Sequence, residues 1–237
     1  MGLHEFLYTG AGFFAGVAGT GLGGFLSLFF NRRGNRFLSA VLEYTAGLML
    51  AVSLLDLLPA SFEGAPLITV LCGVVAGIAL VFFVDELTGG ETSKSAGLSM
   101  AFSIALHNFP EGLAIGSAFE SNAKLGFTIF IAIMLHNIPE GVGLSVPLKY
   151  GGASAAKTVL TAALAGVPMG IGAFIGVVAG VSDFFVSVCL AFAAGAMLYV
   201  VLIDMLPQSQ KLSGERSTAF FSVLGVISGV IISSGLG

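Results

Sequence analysis

The chain has 237 residues, of which 9% are charged and 56% hydrophobic, with a mean hydropathy of +1.02 and a formal net charge of −4. A soluble domain carries roughly 25% charged residues, and a globule of this length cannot hide so much apolar surface, so composition places the chain among membrane proteins. A disordered chain, a disulfide scaffold and a soluble nucleic-acid binder are excluded, because nine Lys and Arg form no basic patch and are outnumbered by thirteen Asp and Glu.

Eight apolar runs are long enough to span a bilayer, at 5–30, 37–58, 67–88, 96–119, 124–147, 157–181, 184–206 and 217–236. The first reads as a membrane helix and not as a cleaved leader, since Met1–Thr9 contains no Lys or Arg. The linkers Asn31–Arg36, Pro59–Pro66, Gly89–Ser95, Glu120–Ala123, Lys149–Ala156, Val181–Asp183 and Pro207–Arg216 leave no room for a soluble domain. The whole of 1–237 is therefore expected to be one transmembrane domain. A β-barrel would need alternating segments of about ten residues, and these runs do not alternate. Cys72 and Cys189 lie in apolar runs without a CxxC motif and read as inert buried thiols.

Threading the eight runs puts Arg32, Arg33, Arg36, Lys94, Lys149, Lys157, Lys211 and Arg216 on one side and only Lys124 on the other. The excess marks the cytoplasmic side and predicts that both termini are extracytoplasmic. The second and seventh runs then cross in opposite directions, yet they share a pattern. Ala46-Gly47-Leu48-Met49 leads to Asp56-Leu57-Leu58-Pro59, and Ala194-Gly195-Ala196-Met197 leads to Asp204-Met205-Leu206-Pro207, at a constant offset of 148. Ala15-Gly16-Val17 and Ala165-Gly166-Val167 repeat at nearly the same offset. This is the pattern of an inverted repeat, runs one to three against six to eight, an architecture of transporters whose substrate site lies near the midplane.

Between the repeats, the fourth and fifth runs carry His107-Asn108-Phe109-Pro110-Glu111-Gly112 and His136-Asn137-Ile138-Pro139-Glu140-Gly141. Both hexapeptides fall mid-run, where an unpaired carboxylate costs several kcal/mol and signals function. His107 and Glu111 are four residues apart and share a helix face, as do His136 and Glu140. Pro110 and Pro139 each remove a helical hydrogen bond, to the carbonyls of Leu106 and Leu135. Imidazole with carboxylate suits Zn²⁺, Fe²⁺, Mn²⁺ and similar ions, and two carboxylates neutralise one dication. Weaker signals surround the motif. Ser99 and Ser103 continue the His107–Glu111 row as an exit stripe, equally readable as close helix packing. Asp56, Glu63 and Glu120 fall near the outer ends and Asp204 near the inner end, as carboxylates of an access or exit path. Glu43 reads as close to the inner interface.

The paired HNxPEG motifs, with Gly19-Thr20-Gly21-Leu22-Gly23 in the first run and the Leu-Pro ends of the second and seventh, resemble the ZIP (Zrt-, Irt-like protein) family of divalent-metal transporters, in its short bacterial branch. The resemblance covers essentially the whole chain. It implies an all-α membrane protein with eight transmembrane helices in a 3+2+3 arrangement. It further implies a homodimer in the cell inner (plasma) membrane, and movement of helices one, four, five and six as a block. His107, Glu111, His136 and Glu140 match the family's main metal site, and Asn108 and Asn137 an adjoining second site. Met49 sits where some members place a thioether ligand, and Met169 stands in the stretch where many carry a further glutamate. The substrate expected is a divalent transition metal, Zn²⁺ first, with Fe²⁺, Mn²⁺, Co²⁺ and Cd²⁺ as companions, imported by alternating access. Expected partners are that metal, the lipid bilayer and a second copy, with no organic cofactor and no nucleic acid. An intramembrane hydrolase or oxidase on the same ligands is disfavoured, since there is no HExxH and no third membrane histidine. A metal-permeable channel is the other alternative.

Overall fold

In the computed structural model, which describes residues 2–30, 34–88, 93–179 and 182–235, the described residues form eight long helices and no strand. They are α1 (Leu3–Phe30), α2 (Asn35–Gly64), α3 (Leu67–Thr88), α4 (Ser93–Ser121), α5 (Ala123–Tyr150), α6 (Ala155–Val178), α7 (Asp183–Leu212) and α8 (Arg216–Gly235). Among the described residues seven helices are long and apolar enough to cross a membrane, and the chain is an integral membrane protein. The one long helix outside that set is α4, which has 29 residues. His107, Asn108, Pro110 and Glu111 lower its hydropathy, whereas the apolar flanks of α5 outweigh the same motif. Arg32, Arg33, residues 89–92 of the third linker and Val181 lie outside the described residues, as do the side chains of Lys94 and Ser99.

The expected ends of α2 and α7 need correction. Pro59 and Pro207 read as stops, yet α2 runs on to Gly64 and α7 to Leu212. In each, a π-helical turn precedes the proline: Ser53–Leu57 in α2 and Val200–Met205 in α7. A widened turn takes up the missing N–H and the ring, so the proline opens a new helical segment instead of ending the old one. A third π turn, Phe14–Ala18, interrupts α1, and α6 breaks at Gly166 between Ala155–Ala165 and Val167–Val178.

Glycines mark where the helices cross, and the crossings come in matched pairs. A Cβ on Gly47 of α2 would strike the Ser222 carbonyl of α8, and one on Gly195 of α7 would strike the Val74 carbonyl of α3. Likewise Gly225 of α8 lies against Tyr44 and Leu48, and Gly77 of α3 against Phe192 and Ala196. Every position in one crossing is 148 residues from its counterpart in the other. Gly16 and Gly166 meet backbone to backbone where α1 crosses α6. Gly112 of α4 abuts Met169 of α6, as Gly141 of α5 abuts Thr20 of α1. Without side chains in the way, van der Waals contact and short polar bonds hold such helices together in an apolar medium.

The largest apolar core joins α2, α4, α5 and α7, including Leu48, Met49, Ile104, Leu144 and Met197. The outward faces stay apolar: Leu71, Val75 and Phe83 on α3 and Phe220, Ile227 and Ile231 on α8 are exposed. Cys72 is exposed on α3, not buried as its apolar surroundings predict, and Cys189 is partly buried on α7; both are free.

Candidate functional site

The two hexapeptides are each carried within one continuous helix, α4 or α5, with Pro110 and Pro139 inside it. His107, Asn108, Glu111, Asn137 and Glu140 are fully buried, and His136 is buried but for 3%. Sequence spacing pairs each histidine with the glutamate of its own helix. The structure pairs them across helices instead: His107 Nε2 lies 2.8 Å from Glu140 Oε1, and His136 Nε2 lies 3.4 Å from both Glu111 oxygens. The first is a good hydrogen-bond length and the second a long one. Two motifs on adjacent helices thus form reciprocal cross-links.

The asparagines are held by main-chain carbonyls at the helix irregularities. Asn108 Nδ2 donates to the Ala165 carbonyl over 2.9 Å, beside the break at Gly166. Asn137 Nδ2 donates to the Ala15 carbonyl over 3.1 Å, within the π turn of α1. The Asn137 bond is an additional one, since the Ala15 carbonyl also accepts from the Gly19 N–H. The two bonds turn each amide so that its Oδ1 is left over. Asn137 Nδ2 further lies 3.5 Å from Met169 Sδ, so Met169 adjoins the cluster.

His107 Nδ1, Asn108 Oδ1, Glu111 Oε1, Asn137 Oδ1 and Glu140 Oε2 are buried atoms without a hydrogen-bond partner. An unmade hydrogen bond costs about 1–3 kcal/mol at a buried polar atom. All four oxygens are acceptors, and with Nε2–H donating to Glu140 a neutral His107 ring leaves a lone pair on Nδ1. The site therefore has a surplus of lone pairs and lacks donors, which suits a cation and not an anion. The donor set of nitrogen, carboxylate and amide oxygen fits Zn²⁺ and neighbouring ions. Among the described residues no three His, Cys, Asp or Glu side chains converge closely enough to hold a metal as they stand. The four ionisable residues are drawn into two pairs, and a bound ion would have to displace a histidine from its carboxylate.

The remaining candidates scatter. Met49 is buried in the apolar core with Met197. Ser103 is buried one turn before His107. Asp56 is partly buried in the π turn of α2 and accepts from Ser233 Oγ of α8. Asp204, in the equivalent turn of α7, is partly buried with an unpartnered Oδ2. Glu63 and Glu120 are exposed.

Glu43 has partners that sequence reasoning did not foresee. It is buried, at 4% exposed, and its Oε1 accepts a 2.9 Å hydrogen bond from Ser209 Oγ of α7. Ser39 and Ser209 hydroxyls lie 2.8 Å apart beside it. The signal available was Ser39 and Glu43 at a spacing of four, one helix face, with Ser209 just past the Leu-Pro of α7.

Residues 89–237 match a family model described as ZIP Zinc transporter. Three similar curated proteins each carry the name Zinc transporter ZupT. That of Nitratidesulfovibrio vulgaris is 34% identical over 155 residues, 50% of this chain and 56% of the relative. That of Corynebacterium aurimucosum is 32% identical over 120 residues, 40% and 45%. That of Chlorobium limicola is 31% identical over 140 residues, 47% and 52%. The chain spans about half the length of the curated relatives it matches.

Proposed function

The chain belongs to the ZIP zinc transporter family, and from that premise we propose that it imports divalent transition-metal ions into the cytoplasm across the cell inner membrane. Zn²⁺ is the leading substrate, with Fe²⁺, Mn²⁺, Co²⁺ and Cd²⁺ as companions. The family is one of transporters, so the reading as an enzyme falls away. The observation that carries the proposal is the buried surplus of lone pairs on α4 and α5, with its two reciprocal His–Glu pairs. His107, Glu111, His136 and Glu140 are the principal ligands, and Asn108 and Asn137 contribute amide oxygens. An arriving dication competes with each His–Glu pair for the carboxylate, and its charge is offset by the two glutamates in a medium where an uncompensated charge costs several kcal/mol.

On this reading residues 1–237 form one transmembrane domain of eight spans in a 3+2+3 arrangement, with α1–α3 and α6–α8 as the inverted repeats and both termini extracytoplasmic. The protein is a homodimer working by alternating access. The matched crossings Gly47–Ser222 and Gly195–Val74 support the repeat. The asparagine bonds to Ala165 and Ala15 tie α4 to α6 and α5 to α1, which supports motion of those four helices as a block. Asp56, Glu63 and Glu120 belong to the access path, and Ser99, Ser103 and Asp204 to the exit.

Uptake into proteoliposomes loaded with a metal-sensitive dye tests the proposal across the five metals. Saturable uptake is expected, abolished in Glu111→Ala and Glu140→Ala and only weakened in Asn108→Ala. Flux linear in metal concentration would instead indicate a channel, and near-normal uptake by a well-folded Glu111→Ala variant would remove this site from the route.

A further inference from the structure

We propose that two lateral crevices, related by the internal repeat, each seat one acyl chain of a bilayer phospholipid. The first, of 380 Å³, opens between α2 and α5 and is lined by Ala40, Val41, Tyr44, Ile138 and Pro139. The second, of 460 Å³, opens between α7 and α4 and is lined by Val188, Cys189, Phe192, Phe109 and Pro110. Ala40, Val41 and Tyr44 become Val188, Cys189 and Phe192 on adding the repeat offset of 148. Ile138 and Pro139 become Phe109 and Pro110 on subtracting the 29 residues between the two hexapeptides. Two crevices at equivalent places, each walled by a motif proline, follow from one design used twice.

The occupant follows from the lining and the medium. Both walls are built almost wholly from hydrocarbon, and an apolar hollow of this kind stays free of water. Left void, its lining atoms lose their dispersion partners. Both crevices lie along helices that cross the bilayer, so the molecules at hand are lipid chains. A second protein copy fits less well, because a two-fold interface uses one patch and would leave the equivalent crevice open. The α2 and α7 walls begin their helices from opposite sides in the proposed topology, so one crevice faces each leaflet. Seating itself needs only that the chain spans a bilayer, and it stands or falls apart from the proposed transport.

The chain contains no Trp, so single-Trp variants report without background. Tyr44→Trp and Phe192→Trp place the probe at equivalent points of the two crevices, and Phe83→Trp places it on the 60% exposed face of α3. The full chain is reconstituted in phosphatidylcholine with a rising fraction of chains brominated midway, and Trp quenching is read. Both crevice probes are expected to lose fluorescence in direct proportion to the brominated fraction, as one seated chain requires. Phe83→Trp, touched by several chains, should fall along a steeper curve. Crevice curves that coincide with that of Phe83→Trp overturn the proposal in favour of ordinary solvation by lipid. Absence of quenching at both crevices also overturns it, and cross-linking through Cys189 would then identify a second copy as the cover. Val41→Trp and Val188→Trp repeat the measurement if an aromatic exchange impairs folding.

Discussion

A carboxylate inside a bilayer is stabilised only by what it touches, and Glu111 and Glu140 each touch one imidazole of the neighbouring helix. Two carboxylates balance one dication; a second ion would leave a charge of about +2 at a cost of several kcal/mol. Met169, which adjoins the cluster through Asn137, adds a thioether but no charge. One tightly held metal per chain is therefore expected, and Met169→Glu should create a second strong site. Anomalous scattering from Cd²⁺-soaked crystals checks this: two full peaks about 4 Å apart in the unaltered protein would contradict it. The asparagines make a separate point. An Asp at 108 cannot donate to the Ala165 carbonyl and would set oxygen against oxygen. The motif was legible because polar residues at the middle of an apolar run have no cheap structural excuse. Its partners were not legible, because Asn108 and Asn137 bond to main-chain oxygens at helix irregularities that no side chain announces. The partner of Glu43 was hidden for a related reason: Ser209 comes to it from another helix.

The helices are joined at points where any side chain would intrude. Gly47→Leu would drive a side chain into the Ser222 carbonyl and separate α2 from α8. A loss of about 1–3 kcal/mol is expected from such overpacking, read as a lower melting temperature in detergent. Gly10→Leu, where nothing lies within 4 Å, serves as the control and should leave melting unchanged. Equal losses in both variants would show that backbone freedom, not the crossing, sets the cost. At this scale the eight runs and their 148-residue echo could be read from hydropathy and spacing. The ends of α2 and α7 could not, since Pro59 and Pro207 break a regular helix unless a π turn precedes them, and a π turn leaves no mark in composition.

Across the whole molecule, the Arg and Lys distribution sets which loops share a side. Arg36 and Glu215 form an exposed ion pair at 3.1 Å, and Arg36 also donates to Ser217 over 3.2 Å. The start of α2 and the turn before α8 therefore lie at one end. In the proposed topology the positive excess puts that end in the cytoplasm. In variants with Cys72 and Cys189 replaced, a cysteine at position 34 should resist an impermeant maleimide applied from outside, and one at position 122 should react. The reverse pattern would invert the topology and turn the proposed import route around.

The crossings also constrain how the chain is made. α2 packs along α8 and α3 along α7, while α2 and α3 meet chiefly near the turn that joins them. A ribosome delivers α2 and α3 to the bilayer well before their partners exist, so half-made chains must wait among lipids with their glycine seams uncovered. Assembly is then settled late, after α8 has left the translocon. A chain ending at Ser121 should insert yet be cleared quickly by membrane proteases. Co-expression with a second fragment carrying residues 122–237 should extend its lifetime in a pulse-chase experiment. Equal lifetimes with and without the second fragment would mean that the early helices find a stable arrangement unaided.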